Sequence, residues 1–185
     1  MRLFLLWLLL PTWAAAQPAS INPLTVAGYL RADLGGSAEK ENVLLVYDEE
    51  GAIDLYIYTR FQQNSVLRPS GIYVPNFSAS TRNPPILRLL PDKSFTVMVT
   101  QSSGLGYSAY ATRIAYVNGE FRIVGVLDEF APKTGEGTRR CAYDLERGVA
   151  IFTPIADETT EIPTEIGPLP VDGFLPATLT GYCED

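Results

Sequence analysis

The chain has 185 residues, of which 14 are Lys or Arg, 21 are Asp or Glu and none is His, giving a formal net charge of −7. This acidic balance disfavours binding to nucleic-acid phosphates and to anionic membranes. The absence of histidine excludes Ser-His and Cys-His catalysis, whereas 46% apolar residues with 10 Tyr and 8 Phe indicate a folded core.

Residues 1–16 have the pattern of a secretory signal peptide. Arg2 supplies the positive charge, an apolar run follows at residues 3–10, and residues 14–16 form a small-residue cleavage site. The apolar run is shorter than the ~20 residues that a membrane-spanning helix needs, which disfavours the alternative of an N-terminal anchor. We therefore predict a periplasmic or secreted mature chain without a membrane span, formed by residues 17–185.

The mature chain predicts a series of short strands. The first apolar run, at residues 24–34, fits a short helix or a strand, and an interrupted run at 66–74 fits a short or edge strand before an irregular loop at 75–85. The segments with the lengths and flanking turn residues of strands are 43–47, 53–59, 86–90, 95–100, 138–144 and 149–152.

The clearest strand pair surrounds Asn118 and Gly119. These two residue types tolerate the positive φ angles of a type I′ hairpin turn, so we predict a tight hairpin here. On the outgoing arm, the alternation of residues predicts that Phe121, Ile123 and Gly125 share one face of the sheet.

Together these elements predict a single mainly β domain at residues 17–185. We expect an antiparallel meander of about seven or eight short strands that forms a sandwich or a partly open barrel, with a propeller-like blade pair as the alternative. The proline-rich segment at 153–185 shows little strand pattern and is interpreted as a tail.

Cys141 and Cys183 are the only cysteines. An even pair in an exported chain predicts a disulfide, and free or regulatory thiols are the alternative. Such a bridge would fasten the tail to the body of the domain. Closing this loop would contribute at most about 4 kcal/mol to stability.

Carboxylates are the remaining candidates for acid–base catalysis. They lie at predicted strand ends, at Asp48, Glu49, Glu50, Asp128 and Glu129. Nothing in the sequence fixes a second carboxylate opposite any of them, so we interpret them as solvated turn charges. We expect no enzymatic activity, and a carboxylate-dependent hydrolase is the alternative.

Residues 33–41 resemble the calcium loop of integrin-type (FG-GAP) repeats, with Asp33 at the first ligand position and Glu41 at the last. Gly35 and Ser37 stand where that family has ligands. Few strong oxygen donors remain where calcium takes about six to eight. We therefore predict a vestigial turn that binds no metal, and we expect no cofactor.

Ser103, Gly104 and Tyr107 match a Ser-Gly-x-x-Tyr pattern and resemble the signature of periplasmic lysozyme inhibitors. The resemblance implies a small secreted β protein whose loop inserts into the lysozyme cleft, a role that suits a short loop on a rigid scaffold. The alternative is a glycine-rich connection between two strands.

A wider resemblance covers residues 53–58, 113–125, 141–145, 168–170 and Cys183. These segments resemble a group of uncharacterised exported proteins of Gram-negative bacteria. The resemblance implies a periplasmic location, supports pairing of the two cysteines and brings no known activity. We therefore predict a non-enzymatic binding domain that recognises a protein or a component of the cell envelope, with lysozyme inhibition as the alternative.

Overall fold

The structure is a computed structural model, and it describes residues 26–35, 38–47, 53–58, 84–135, 137–154, 158–171 and 183. The predicted signal peptide, the predicted strand at 66–74 and the carboxylates at 48–50 lie outside these residues, as does most of the predicted loop at 75–85.

The described residues form eleven strands and no helix, which confirms the predicted mainly β class. The first apolar run is a strand, and more strands form than predicted. The strands are β1 (Val26–Ala32), β2 (Glu41–Tyr47), β3 (Ile53–Tyr58), β4 (Ile86–Leu89), β5 (Phe95–Ser102), β6 (Gly106–Val117), β7 (Glu120–Pro132), β8 (Arg139–Asp144), β9 (Val149–Thr153), β10 (Thr160–Pro163) and β11 (Leu169–Pro170). In this part of the chain there is no helix that could cross a membrane.

The strands form two antiparallel sheets. The small sheet has the order β1-β2-β3, and the large sheet has the order β10-β9-β8-β7-β6-β5-β4, with β11 paired to β7. Within each sheet, and apart from β11, strands that follow one another in sequence pair with one another, which is the predicted meander; β3 and β4, although consecutive, belong to different sheets. The sheets are not closed into a barrel, and this arrangement is consistent with the predicted sandwich.

A single buried cluster joins the two sheets. Alternate side chains of β3 are buried, because one face of the small sheet covers the core and the other faces outward. Gly28 on β1 faces Leu87 on β4, and a Cβ added at Gly28 would lie 3.4 Å from the Leu87 Cδ1 atom. The cluster includes Val43, Leu45, Leu55 and Ile57 from the small sheet and Phe95, Val97, Ile114 and Ile123 from the large sheet.

The β6–β7 hairpin turns at Asn118 and Gly119, as predicted, with φ angles of 52° and 94°. The two strands are the longest described, and their pairing extends from Val117 and Glu120 to Gly106 and Pro132. The hairpin therefore runs the full length of the large sheet.

A bulge in this hairpin corrects one prediction. Arg113 pairs with Gly125 while Ile114 pairs with Ile123, so Val124 is an extra residue on β7. One extra residue reverses the side to which the following side chains point. The prediction that Gly125 shares a face with Ile123 is therefore wrong, and Gly125 instead lies against the Arg113 side chain.

The Cys141–Cys183 disulfide is present, with the two Cα atoms 6.0 Å apart, which confirms the predicted bridge. The proline-rich tail is more structured than predicted, because it supplies β10 and β11. β10 is an edge strand, where Pro163 can be accommodated, and β11 pairs with β7 beside Ile123, beyond the point where β8 ends.

Candidate functional site

The predicted binding loop lies at one end of the large sheet. Ser103, Gly104 and Leu105 connect β5 to β6, and the strands on either side pair at Ser102 and Tyr107. The long β6–β7 pairing reaches the same end of the sheet, so the connection stands directly beside the end of β7.

Ser103 forms hydrogen bonds within its own loop. Its N–H donates to the carbonyl oxygen of Gly106 at 2.8 Å. Its hydroxyl oxygen accepts from the N–H groups of Leu105 at 3.2 Å and Gly106 at 3.3 Å. A serine hydroxyl that accepts local N–H groups stabilises a tight turn. In the free protein the Ser103 hydroxyl therefore holds the loop in its conformation.

The end of β7 supports the loop from the side. The Lys133 N–H donates to the Leu105 carbonyl oxygen at 3.0 Å. Gly106 packs so tightly that an added Cβ would overlap the Ala131 carbonyl oxygen and would lie 2.9 Å from the Phe130 ring. Only glycine allows this close approach, so the loop and the end of β7 form one rigid unit.

Two large hydrophobic side chains and one lysine are exposed at this end. Leu105 is 80% exposed, the highest value among the large hydrophobic residues of the described chain, and Tyr107 is 41% exposed. Lys133 is also exposed. We refer to Leu105, Tyr107 and Lys133 as the hairpin tip, because they lie at or beside the turn of the β5–β6 hairpin. Leu105 and Lys133 were not predicted from the sequence, although an apolar residue between two glycines in a turn could have indicated Leu105.

The Asp33 and Glu41 carboxylates are both engaged by groups of the protein itself. Asp33 is 52% exposed, and its carboxylate accepts from the Lys93 ammonium at 2.7 Å and from the Gly35 N–H at 3.1 Å. These hydrogen bonds, that of Lys93 being the larger effect, hold the pKa of Asp33 below its ordinary value. The Asp33 carboxylate is thus already occupied by a cation of the protein.

Glu41, unlike Asp33, is buried. It pairs with the buried Ala32 and is itself only 1% exposed. Its Oε2 atom accepts from the Leu34 N–H at 2.8 Å, and its Oε1 atom has no hydrogen-bond partner among the described residues. Glu41 therefore fixes the backbone after β1. In the described ranges no cluster of three or more His, Cys, Asp or Glu side chains is arranged to hold a metal ion.

Asp128 and Glu129 lie on opposite faces of β7, because consecutive side chains of a strand alternate. The Asp128 carboxylate forms an ion pair with Arg139 at 3.7 Å. On the neighbouring strand, Tyr110 lies opposite Asp128 in the β6–β7 register. Burial raises the pKa of Tyr110, and the charge of Asp128 adds to this effect. Glu129 lies opposite Arg140 in the β7–β8 register. The geometry therefore does not make these two neighbouring carboxylates a catalytic pair.

A polar cluster at the other end of β5 was not predicted. The Arg113 guanidinium donates to the Ser94 hydroxyl at 3.0 Å and forms ion pairs with Asp92 and, at 3.2 Å, with Glu146. The Ser94 hydroxyl donates to Asp92 at 2.6 Å, and this bond, more than Arg113, holds the pKa of Asp92 below its ordinary value. The cluster ties together the β4–β5 turn, β6 and the β8–β9 turn.

Comparison with protein-family models, with curated protein sequences and with solved structures finds no match to this chain.

Proposed function

We propose that this protein is an exported, non-enzymatic recognition domain that binds another protein through the hairpin tip. The observation that carries the proposal is the 80% exposure of Leu105 on a loop that hydrogen bonds of Ser103 and Lys133 hold in place. The disulfide is compatible with an oxidising extracytoplasmic location, and the signal-peptide pattern supports the periplasm as that location.

Rigidity favours binding at the hairpin tip. A loop that is already ordered loses little conformational entropy when a partner binds, so more of the contact energy appears as affinity. Ser103 and the end of β7 supply this order. Because the tip is short and Leu105 is its most exposed hydrophobic side chain, it suits a partner with a concave, partly apolar surface that accepts Leu105.

Charge supports a particular kind of partner surface. Lys133 is exposed beside Leu105, on a chain whose formal net charge is −7. A cation beside an apolar anchor is complementary to an apolar pocket with acidic groups at its rim. Charged groups at a rim chiefly affect the association rate and the salt dependence, whereas Leu105 would determine most of the affinity.

Lysozyme inhibition is the second candidate function. The observation that favours it is that the Ser-Gly-x-x-Tyr segment lies at an exposed end of the sheet, as the resemblance to periplasmic lysozyme inhibitors implies. Because the Ser103 hydroxyl is used within the loop, the side chains available for the cleft are Leu105 and Tyr107.

The test of the proposal compares two exposed leucines. The mature protein is immobilised, and proteins of a periplasmic extract that it retains are identified and their affinities measured with purified components. Leu105→Ala should weaken binding by about tenfold, as truncation of an interface anchor does. Leu89→Ala is the matched control, because Leu89 is 44% exposed at the opposite end of the large sheet. Equal affinities of the two variants for every retained protein would refute the proposal.

Lysozyme inhibition needs its own assay. Lysis of bacterial cell walls by purified lysozyme is measured with increasing amounts of wild-type protein and of Leu105→Ala. Inhibition by the wild type that is weakened in the variant is expected. Unchanged lysis at micromolar excess would eliminate this second candidate and leave the general proposal to the affinity measurement.

A further inference from the structure

A row of apolar side chains crosses the outer face of the large sheet. The row takes one residue from each of the six strands β4 to β9, and the register places them side by side: Ile86, Met98, Ala111, Leu127, Ala142 and Ile151. Ile86 is 47% exposed and the other five are half-buried. Within the described residues, none of the six belongs to the core cluster or packs against it, whereas the next residues along the strands, such as Val97 and Val126, are part of it. We refer to these six residues as the apolar row.

Charged side chains of both signs flank the apolar row. On β8, Arg140 lies two residues before Ala142 and Asp144 lies two residues after it, so all three share the outer face. Arg140 is exposed and Asp144 is half-buried, and Glu129 lies opposite Arg140 in the register. None of these charged groups forms an ion pair with another described residue. Because both signs are present, the face selects neither an anionic nor a cationic ligand.

The order of residues on β8 is complementary to itself. When a second copy of the chain packs on the outer face with its β8 running in the opposite direction, Ala142 faces Ala142, and Arg140 of each copy faces Asp144 of the other. This arrangement has two-fold symmetry about the line of the apolar row, which is the symmetry of a closed dimer. Sheets that pack face to face are about 10 Å apart, a distance that an arginine and an aspartate side chain together can span.

The size of this surface also fits a second copy of the chain. The apolar row covers five strand spacings and the charged residues extend it along the strands, so with its side chains the surface measures roughly 30 by 20 Å. Two copies would bury roughly 1,200 Å² in total, at the lower end of the range of specific protein interfaces. A second copy covers the apolar row and gives Arg140 and Asp144 partners of opposite charge, which a ligand of a single charge does not.

We propose that the protein forms a two-fold dimer through the outer face of the large sheet, with the apolar row at its centre and an Arg140–Asp144 pair on either side. The dimer does not depend on the function of the hairpin tip. Because the tip lies at one end of β6 and the strands of the two copies run in opposite directions, the two tips lie at opposite ends of the dimer. One dimer therefore presents two separate tips.

The experiment is analytical ultracentrifugation of the purified mature protein over a micromolar concentration series. The wild type should convert from monomer to dimer as its concentration rises. Leu127→Glu places a charge at the centre of the apolar row and should raise the dimer dissociation constant by at least about tenfold. Leu89→Glu is the matched control, because Leu89 is 44% exposed on the opposite face of the same sheet. Circular dichroism verifies that each variant is folded.

Charge reversal tests the pairing between the two copies. Arg140→Asp and Asp144→Arg each place like charges opposite one another, so each alone should weaken the dimer by about tenfold. The double variant restores opposite charges and should recover the dimer, which a purely structural role of either residue would not produce.

A control and the stability of the variants complete the test. Lys40→Glu changes the net charge as much as Arg140→Asp does, but at an exposed residue before β2 of the small sheet, and should leave the dimer unchanged. Because Asp144 also accepts the Arg147 N–H at 3.2 Å, thermal denaturation verifies that the double variant is folded. A wild type that stays monomeric throughout the series would overturn the proposal, as would equal dissociation constants for wild type and Leu127→Glu. A folded double variant that stays monomeric would overturn the antiparallel arrangement.

Discussion

Two glycines of one loop are predicted to respond in opposite ways to the same substitution. A Cβ at Gly104 would meet no atom within 4 Å, whereas a Cβ at Gly106 would overlap the Ala131 carbonyl oxygen and lie 2.9 Å from the Phe130 ring and 3.0 Å from the Pro132 Cα. Backbone atoms cannot move aside as a flexible side chain can. Gly106→Ala must therefore separate β6 from β7 at the hairpin tip.

The expected magnitudes follow from this difference. Inserting a methyl group into a closely packed site costs about 1–3 kcal/mol, so Gly106→Ala should lower the free energy of unfolding by that amount. For a chain of this length such a loss corresponds to a Tm roughly 2–12 °C lower. Gly104→Ala should be neutral or stabilising by about 0.4–1 kcal/mol, because alanine restricts the unfolded chain.

Urea and thermal denaturation followed by circular dichroism measure both values. Because the two substitutions add the same methyl group two residues apart, Gly104→Ala controls for composition and for helix or strand propensity. A Gly106→Ala protein as stable as Gly104→Ala would refute the close approach of the loop to β7, and with it the rigidity on which the proposed binding rests.

Three further predictions concern the scaffold. Replacing Cys141 and Cys183 together by Ser should lower the free energy of unfolding by up to about 4 kcal/mol, as measured by urea denaturation. The reason is that the disulfide links residues 42 positions apart, and without it the unfolded chain gains conformational entropy. Glu41→Ala should cost about 1–3 kcal/mol by leaving a buried N–H unpaired, whereas Glu41→Gln, which keeps an acceptor, should cost less in the same assay. Because the Ser94 hydroxyl lowers the pKa of Asp92, the folded state binds fewer protons than the unfolded state. The stabilising contribution of Asp92 is therefore complete above its ordinary pKa of 3.8 and is lost as pH falls through the lower folded value, so Asp92→Asn should show a shallower loss of stability in acid.

The hairpins could be predicted because their determinants are local. Asn118 and Gly119 indicate a turn irrespective of the rest of the chain, and the strands around them follow. The strands of the tail could not be found in this way. β11 is only two residues long and contains Pro170, and it exists because it pairs with β7, some 46 residues earlier, where the Arg122 guanidinium also donates to the Pro168 carbonyl oxygen at 3.0 Å.

The bulge shows where a period-two pattern becomes ambiguous. Ile123, Val124, Gly125 and Val126 are all buried, so the run of apolar residues does not show where the alternation shifts by one. Only the pairing of β7 with β6 identifies Val124 as the extra residue. The sequence therefore predicts a strand here and cannot predict which face each side chain joins.

The sequence predicted a connection between strands at the Ser103 loop, and it did not predict how the side chains of that loop are used. The segment from Ser103 to Tyr107 could be identified as a connection, because glycines around a serine favour a tight turn between strands. The sequence gives no indication that the Ser103 hydroxyl accepts two N–H groups of its own loop, or that Lys133 on the other side of the hairpin holds the Leu105 carbonyl oxygen. Because of these bonds, the polar residue of the motif, Ser103, maintains the loop, and the apolar residue between the glycines, Leu105, is the exposed one; in the proposed function it is therefore Leu105 that contacts the partner. If these roles are correct, Ser103→Ala should weaken partner binding through loss of loop order, whereas Leu105→Ala should weaken it with the loop unchanged, and proton chemical shifts of the Gly104 and Gly106 amides would distinguish the two effects.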